Sequence, residues 1–269
     1  MVYESVELLR AFDDGKIFAK IDGHGPQLVV ALHGWSRTSN DFLKLVSTLD
    51  MNRFRLVRFD LPGFGESAPP DEPVGTQYYA SAIDRAICEL LSGDDAFGED
   101  SRVILVGHSF GGRIAIRIGA ARPKWLGSLV VSGVPLFRGG SSRSVPLSLS
   151  IAKFLASKGI IGAPRLDKIK SKHGSLDYRN AQGVIRDILV KSVNEDYSDA
   201  LSMIEVDTFL IWGALDSAAP IDMARRALEI LPRGKLDVIA DGDHFAIFSD
   251  RSSLSKTIDE ISNNRLGTL

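Results

Sequence analysis

Short apolar runs alternate with segments of helical periodicity along most of this 269-residue chain. The run Leu28–Leu32 (LVVAL) is continuous, as expected of a strand buried on both faces, whereas Thr76–Leu91 repeats its apolar residues at helical spacing. Strands that alternate with helices are joined by right-handed crossovers, which predicts an α/β fold: a mostly parallel sheet with helices on both faces. The other predicted strands are Lys16–Ile21, Phe54–Phe59, Val103–Val106, Leu129–Val131, Thr208–Trp212 and Leu236–Ile239; the other predicted helices are Thr38–Leu49, Arg113–Ala121, Ile221–Leu231 and Leu254–Ile261.

The longest interruption of this alternation separates the strand near residue 130 from the next one near residue 210. About 75 residues are too many for one crossover. We therefore predict a core formed by residues 1–133 and 206–269, with residues 134–205 inserted as a mainly helical cap.

Composition excludes several classes of protein. A single cysteine, Cys88, rules out an intrachain disulfide and a cysteine-based zinc site. The N-terminal segment lacks a basic region followed by an apolar one, and no stretch approaches the ~18 apolar residues of a membrane span. The expected location is therefore cytoplasmic.

The segment Val106–Gly112, VGHSFGG, lies between a predicted strand and a predicted helix. It holds the only G-x-S-x-G pattern in the chain, formed by Gly107, Ser109 and Gly111. A sharp strand-to-helix turn strains the serine backbone, and larger side chains two residues away would collide. The helix start also presents free N–H groups. We predict Ser109 as a nucleophile, with a structural turn serine as the alternative; Arg113 is expected to pair on the helix surface.

His244 and Asp216 each follow a predicted strand. A nucleophilic serine needs a base whose pKa lies near the working pH, and of the five histidines only His244, in DGDHFAIF, lies in the last loop at the carboxyl edge of the sheet. Asp216, in IWGALDSAAP, would orient the imidazole and stabilise its charged form. The alternatives are a loop histidine and an aspartate that opens the turn before Pro220. Asp222 is a rival that we expect to cap a helix.

The tripeptide His33–Trp35 (HGW) ends the strand Leu28–Leu32. A tetrahedral oxyanion needs preorganised donors, usually two backbone N–H groups. We predict the amides of Trp35 and Phe110 as this oxyanion hole. The alternative is a simple tight turn, with Trp35 packed on the cap.

Together these segments resemble the α/β-hydrolase fold superfamily of serine hydrolases with a helical cap, as found in bacteria. HGW resembles its oxyanion loop, DLPGFGES (Asp60–Ser67) its D-x-x-G-x-G-x-S loop and VGHSFGG its nucleophile elbow, while WGALD and GDHF are similar to its acid and base segments. The order Ser, Asp, His is that of the same fold. The resemblance runs through most of the chain and implies an eight-stranded mostly parallel sheet, a cap after the sixth strand, and a serine mechanism with no cofactor and no metal. Since position 109 is Ser rather than Asp, epoxide and haloalkane hydrolysis are not expected.

The resulting hypothesis is a serine hydrolase that cleaves a small or medium carboxylic ester, or a related acyl compound, through an acyl-enzyme on Ser109. A C–C bond hydrolase or an acyltransferase would use the same three residues. A non-catalytic small-ligand binding protein or receptor would keep the pocket without turnover. The intact Ser, Asp and His argue against that third hypothesis.

Charge is segregated along the chain. Between Phe137 and Ser192 there are eleven Lys/Arg and three acids, a net charge of +8, whereas the whole chain carries −2 and the remainder therefore −10. A basic cap would steer an anionic acyl substrate, and with its apolar residues it would favour an anionic membrane surface; a solvated basic face is the alternative. The apolar residues are Leu147, Ile151, Phe154 and Leu155. The net charge argues against a nucleic-acid partner, and the sequence leaves monomer and homodimer open.

Overall fold

The computed structural model describes residues 8–94, 96–98, 100–138, 176–249 and 252–266. Eight strands form one sheet in the order β1-β2-β4-β3-β5-β6-β7-β8. Strand β2 is antiparallel to β1 and β4, and all other neighbouring pairs are parallel. The predicted eight-stranded, mostly parallel α/β fold is therefore confirmed. The strands are β1 Leu8–Phe12, β2 Ile17–Asp22, β3 Gln27–Leu32, β4 Phe54–Asp60, β5 Val103–His108, β6 Leu126–Ser132, β7 Asp207–Gly213 and β8 Gly234–Ile239.

The described residues also contain eight α-helices. They are α1 Leu43–Thr48, α2 Thr76–Ser92, α3 Phe110–Ala121, α4 Leu176–Asn180, α5 Gly183–Ser192, α6 Ser198–Ser202, α7 Ile221–Ile230 and α8 Leu254–Leu266. The segment predicted as one helix, Thr38–Leu49, is divided into a 3-10 turn at Ser39–Phe42 and the short α1. A second 3-10 turn spans Ala246–Phe248.

The central strands are buried on both faces. In β3, Val30 and Leu32 belong to the core cluster that contains residues of α2 and α3, whereas Val29 and Ala31 belong to the cluster on the other face, with residues of α1 and α8. Successive side chains of a strand point to opposite faces. A strand between two helical layers is therefore apolar at every position, which explains the run LVVAL.

The chain leaves the sheet after β6 and returns before β7. The two connections are bonded to each other, since Tyr197 N donates to Leu136 O at 3.0 Å and Arg138 N donates to Asp196 Oδ2 at 2.9 Å. Helices α4 and α5 lie between them in the chain and α6 follows directly after Tyr197, all in the described part of the predicted cap. Its boundaries, 134–205, stay a prediction, and its four apolar residues from 147 to 155 lie outside the described residues. Within the described ranges, no helix has the length and apolar character that crossing a bilayer requires.

Candidate active site

Ser109 occupies the sharp turn between β5 and α3. Its backbone has φ 50° and ψ −109°, a conformation with positive φ that is rare for residues other than glycine. Ser109 N donates to Ser132 O at 2.9 Å, which attaches the turn to the end of the adjacent strand β6. The side chain is only partly buried. The fold thus holds the hydroxyl at the carboxyl edge of the sheet, where ligands gather in proteins of this architecture.

The glycines on either side of Ser109 are required by close backbone approach. A Cβ at Gly107 would lie 2.7 Å from Gly111 O, and a Cβ at Gly111 would overlap Leu32 O. Gly111 N also donates to His33 O at 3.0 Å. The spacing G-x-S-x-G therefore follows from the packing of α3 against β3 and β5.

The structure brings the three predicted side chains together. His244 Nε2 lies 3.1 Å from Ser109 Oγ, and His244 Nδ1 lies 2.9 Å from Asp216 Oδ2. The His244 side chain is one-fifth exposed and that of Asp216 is fully buried. Since a carboxylate only accepts hydrogen bonds, the neutral imidazole carries its proton on Nδ1 and turns the lone pair of Nε2 toward the serine hydroxyl. Their catalytic roles stay a prediction that this geometry supports.

Asp216 also organises its own loop. Its Oδ1 accepts hydrogen bonds from Ala218 N and Ala219 N, both at 2.8 Å, while Oδ2 faces His244. The same carboxylate therefore makes both the turn before Pro220 and the contact with His244. The rival Asp222 is largely exposed and pairs with Arg225 at 3.0 Å.

His33 fixes the peptide that contains the amide of Trp35. Its Nε2 accepts from Leu61 N at 3.0 Å, so its proton lies on Nδ1, which donates to Gly34 O at 2.7 Å. Burial lowers the pKa of His33, which favours this neutral form. In a trans peptide the C=O and N–H groups point in opposite directions. Because His33 Nδ1 holds Gly34 O, the N–H of Trp35 points away from His33.

The second predicted donor is the amide of Phe110, the first residue of α3. The first N–H groups of a helix have no partner within the helix. Gly34 lies close to Ser109, since a Cβ built on it would be 3.5 Å from Ser109 Cβ. The HGW loop and the start of α3 are therefore neighbours, as an oxyanion hole requires, although its role stays a prediction.

An aromatic cluster covers this part of the site. The rings of Trp35, Phe64 and Phe110 meet edge to face, with centroids 5.0 Å apart for Trp35 with Phe64 and for Trp35 with Phe110. Phe110 also meets Tyr79, at 5.0 Å. These rings provide an apolar wall beside Ser109.

His108 lies behind His244 rather than beside the serine hydroxyl. Its ring is fully buried, 4.9 Å from the His244 ring and 4.9 Å from that of Phe248. Neither ring nitrogen has a hydrogen-bond partner among the described residues. Burial holds the pKa of His108 well below the usual range of histidine, so the ring is a neutral support for His244.

Asp177, on α4, is a carboxyl group close enough to His244 for the two to interact electrostatically. Burial raises its pKa, and the interaction with His244 opposes the rise. The described part of the insertion thus brings an acidic side chain toward the site, although the insertion as a whole is basic.

Two arrangements were not expected from the sequence. Arg113, predicted to pair on the helix surface, is instead buried, and it donates to two backbone carbonyls. The available signal was the sequence of α3, FGGRIAIRIGAA, which is apolar nearly all round and therefore typical of a helix inside the protein. The contact of His108 with His244 was also not expected, because the sequence does not show to which side of the strand end the His108 ring turns.

The chain matches a model of the alpha/beta hydrolase family over residues 29–253. Among curated proteins it is 26% identical over 262 residues to the 2-hydroxy-6-oxononadienedioate/2-hydroxy-6-oxononatrienedioate hydrolase 1 of Dechloromonas aromatica (strain RCB), which covers 88% of this chain and 86% of that protein. It is 27% identical over 269 residues to the AB hydrolase superfamily protein YisY of Bacillus subtilis (strain 168), which covers 92% of this chain and 96% of that protein.

Solved structures share the architecture. The esterase EaEST from Exiguobacterium antarcticum superposes with a TM-score of 0.70 at 23% identity, over 96% of this chain and all of that chain. A bromoperoxidase from Bacillus anthracis superposes with a TM-score of 0.69 at 19% identity, over 92% of this chain and 95% of that chain. At these identities the likeness establishes the fold alone.

Proposed function

This chain belongs to the alpha/beta hydrolase family, and on that premise we propose that it is a serine hydrolase that cleaves small or medium carboxylic esters through an acyl-enzyme on Ser109. One observation carries the proposal: the continuous line from Asp216 through His244 to Ser109, with contacts of 2.9 and 3.1 Å. A nucleophile, a base within hydrogen-bond reach and a group that orients the base are the parts that covalent catalysis by serine requires.

Acylation begins when Ser109 Oγ attacks the ester carbonyl and His244 Nε2 takes its proton. Asp216 stabilises the resulting imidazolium through Nδ1–H. The amides of Trp35 and Phe110 bind the oxyanion of the tetrahedral intermediate, the first held in direction by His33. His244 then returns the proton to the leaving alcohol as the carbonyl re-forms, which leaves the acyl group on Ser109.

Deacylation repeats the same steps with water. His244 takes a proton from the water molecule that attacks the acyl-enzyme, and then returns it to Ser109 Oγ as the carboxylic acid leaves. The apolar wall of Trp35, Phe64 and Phe110 accommodates an uncharged acyl chain better than a charged one.

The direct test is Ser109→Ala assayed with p-nitrophenyl esters. We expect kcat to fall by about 10⁴- to 10⁶-fold, because the covalent path is lost while binding remains. Labelling of the wild type, and not of the variant, by a fluorophosphonate would identify the nucleophile. An S109A variant that hydrolyses esters at the wild-type rate would refute the proposal.

Hydrolysis of a carbon–carbon bond is the second candidate. It is favoured by the relative from Dechloromonas aromatica, whose name gives a 2-hydroxy-6-oxononadienedioate hydrolase and which spans most of this chain. The same three residues would serve, with a ketone in place of the ester carbonyl and a carbon leaving group in place of the alcohol.

A substrate panel separates the two candidates. The wild type is assayed in parallel with p-nitrophenyl butyrate and with a vinylogous 1,5-diketone acid. A kcat/KM at least tenfold higher for the ester supports the first candidate, and the opposite ratio supports the second. If the fluorophosphonate labels the enzyme but neither compound is hydrolysed, the next assay uses acyl acceptors other than water.

A further inference from the structure

Arg113 joins the helix of the nucleophile to the start of the insertion and to the carboxyl end of α5. It lies one turn after Ser109 on α3 and is only 7% exposed. Its Nε donates to Pro135 O at 3.0 Å, on the segment that leaves the sheet, and its Nη1 donates to Ser192 O at 2.6 Å, on the segment that returns. Burial lowers the pKa of Arg113, yet an arginine side chain stays protonated in proteins. A buried cation thus holds two carbonyls that are 57 positions apart in the chain.

The carbonyl of Ser192 is the last one of α5. The final four carbonyls of a helix have no partner within it, and a cation is favourable at this end of the helix dipole. Arg113 therefore caps α5 from a different helix. Ser192 O also accepts from Glu195 N at 3.3 Å, so Arg113 is the closer of its two donors, and the Ser192 hydroxyl donates to Leu189 O instead.

The other end of α5 reaches the wall of the candidate site. A Cβ built on Gly63 would overlap Ile185 Cδ1, so Ile185 lies directly against the loop that carries Phe64. Phe64 in turn contacts Trp35, and Ile188 is fully buried. Helix α5 therefore spans from the Arg113 contact to the apolar wall beside Ser109.

We propose that Arg113 is a positioning residue that sets the length of acyl chain the site accepts, by holding α5 at a fixed distance from the nucleophile helix α3. The inference rests on the proposed ester hydrolysis and names a determinant of its substrate range. Arginine suits the task because its planar guanidinium reaches both carbonyls at once, whereas a lysine ammonium is a compact point charge on a flexible stem.

Arg117, one turn further along α3, offers a matched control. Its guanidinium lies 4.7 Å from the Tyr197 ring and 3.4 Å from Glu195 Oε2, so it also attaches α3 to the returning segment. None of its contacts is with α5 among the described residues. Replacing it perturbs the same region without releasing the carbonyl of Ser192.

The test compares Arg113→Met, Arg113→Lys and Arg117→Met on p-nitrophenyl acetate, butyrate, hexanoate and octanoate. For both Arg113 variants we expect KM to rise threefold or more at the wild-type optimum length, with kcat on acetate changed less than twofold and the length optimum broadened. Arg117→Met keeps the wild-type length profile even where its Tm falls. Hydrogen exchange over residues 183–192 provides a second readout, expected to accelerate in the Arg113 variants only.

Two results would overturn the role of Arg113 in an active enzyme. One is a wild-type length profile in both Arg113 variants, whatever their Tm. The other is an equal loss of kcat on every ester, which would place the effect on Ser109 rather than on α5. A wild type that neither hydrolyses these esters nor reacts with a fluorophosphonate would instead overturn the proposed function, and unchanged exchange in α5 would then refute the holding role independently.

Discussion

Asp216 uses its two carboxylate oxygens for two different tasks. Oδ1 accepts from the amides of Ala218 and Ala219, and Oδ2 faces His244 Nδ1. The loop therefore forms around the carboxylate, and the same fold of the loop aims the second oxygen at the base. Without the two hydrogen bonds to Oδ1, the Asp216 side chain would be held less rigidly toward His244.

Asp216→Asn tests this division of tasks. The asparagine oxygen can still accept from the two amides, which leaves the NH₂ group facing His244 Nδ1. The imidazole must then carry its proton on Nε2 and cannot accept one from Ser109. We expect kcat on p-nitrophenyl butyrate to fall by about 10⁴-fold with Tm changed by only a few degrees, as for the same change in a serine protease.

The measurement pairs esterase kinetics with thermal unfolding. The control is Asp222→Asn, since Asp222 is the neighbouring carboxylate and makes only an exposed ion pair. An Asp216→Asn variant with wild-type kcat would show that this carboxylate does not govern the imidazole proton.

Residues at strand ends were predictable, and residues defined by packing were not. Ser109, Asp216 and His244 each follow a strand, so the parallel sheet brings them to one edge whatever the loops do. The hydrogen bonds of Arg113 depend on where two segments, 22 and 79 positions away in the chain, come to lie against α3. No pattern around Arg113 in the sequence encodes the position of Pro135 or Ser192.

Among the elements, α2 has an amino-terminal end that is stabilised by a residue from a distant part of the chain. Its N-cap residue is Gly75, which provides no capping side chain. Glu195, on the returning segment, takes this role: Oε1 accepts from Thr76 N at 2.9 Å, and Oε2 accepts from Thr76 Oγ1 and from Tyr197 OH. These hydrogen bonds, with Arg117, outweigh burial and lower the pKa of Glu195.

Glu195→Gln therefore destabilises the protein. The amide keeps one acceptor for Thr76 N but places a donor against the hydroxyls and beside Arg117. We expect a loss of about 1–2 kcal/mol in the free energy of unfolding at pH 7, because a buried group left without its hydrogen-bond partner costs about 1–3 kcal/mol and Glu195 is one-fifth exposed. Urea unfolding measures it, with Asp222→Asn as the exposed control; equal midpoints for the two variants would contradict the cap.

The elements that sequence periodicity missed have local reasons. Strand β1, LLRAF, is at the edge of the sheet and exposes Leu8 and Leu9, so it shows neither a continuous apolar run nor the expected alternation. The segment Thr38–Leu49 keeps its helical spacing but begins as a 3-10 turn. Ser39 N there donates to Asp60 Oδ1 at 2.7 Å, so the start of the segment is fixed by the last residue of β4.

On the scale of the whole molecule, two buried neutral histidines make stability depend on pH. Burial lowers the pKa of His33 and lowers that of His108 further, from a usual value of 6.5. Below pH 6.5 the unfolded chain binds more protons at these two residues than the folded chain does. The free energy of unfolding therefore decreases as the pH falls through 6.5, by up to about 1.4 kcal/mol per pH unit for each histidine.

His108→Phe removes one of these two contributions while keeping an aromatic ring against His244. We expect its free energy of unfolding to fall less steeply than that of the wild type between pH 7 and 5.5, by about 1 kcal/mol over that interval. Urea unfolding at several pH values measures the slope. His24→Gln is the control, because His24 is exposed and water solvates its ring in both states; parallel slopes for wild type and His108→Phe would contradict the argument.

The segregation of charge leads to a prediction about substrate capture. Near His244, the described residues offer no net positive charge: Arg37 lies 5.3 Å from the Phe245 ring but pairs with Asp41, and Asp177 adds a carboxyl group. A field that attracts anions must therefore come from the net charge of +8 between Phe137 and Ser192. We expect kcat/KM for an anionic ester to fall about threefold or more between 0.02 and 0.5 M salt, with a neutral ester of equal length unchanged.

Two charge reversals decide whether the insertion is the source of that field. Arg179→Glu and Lys124→Glu change the net charge by the same amount at exposed positions. Arg179 lies on α4, whereas Lys124 follows the carboxyl end of α3, about 18 Å from the nucleophile end of that helix. Steering by the insertion requires Arg179→Glu to lower kcat/KM for the anionic ester at low salt more than Lys124→Glu does. Equal effects would instead mean that only the net charge matters, and no salt dependence in the wild type would leave the insertion a solvated basic face.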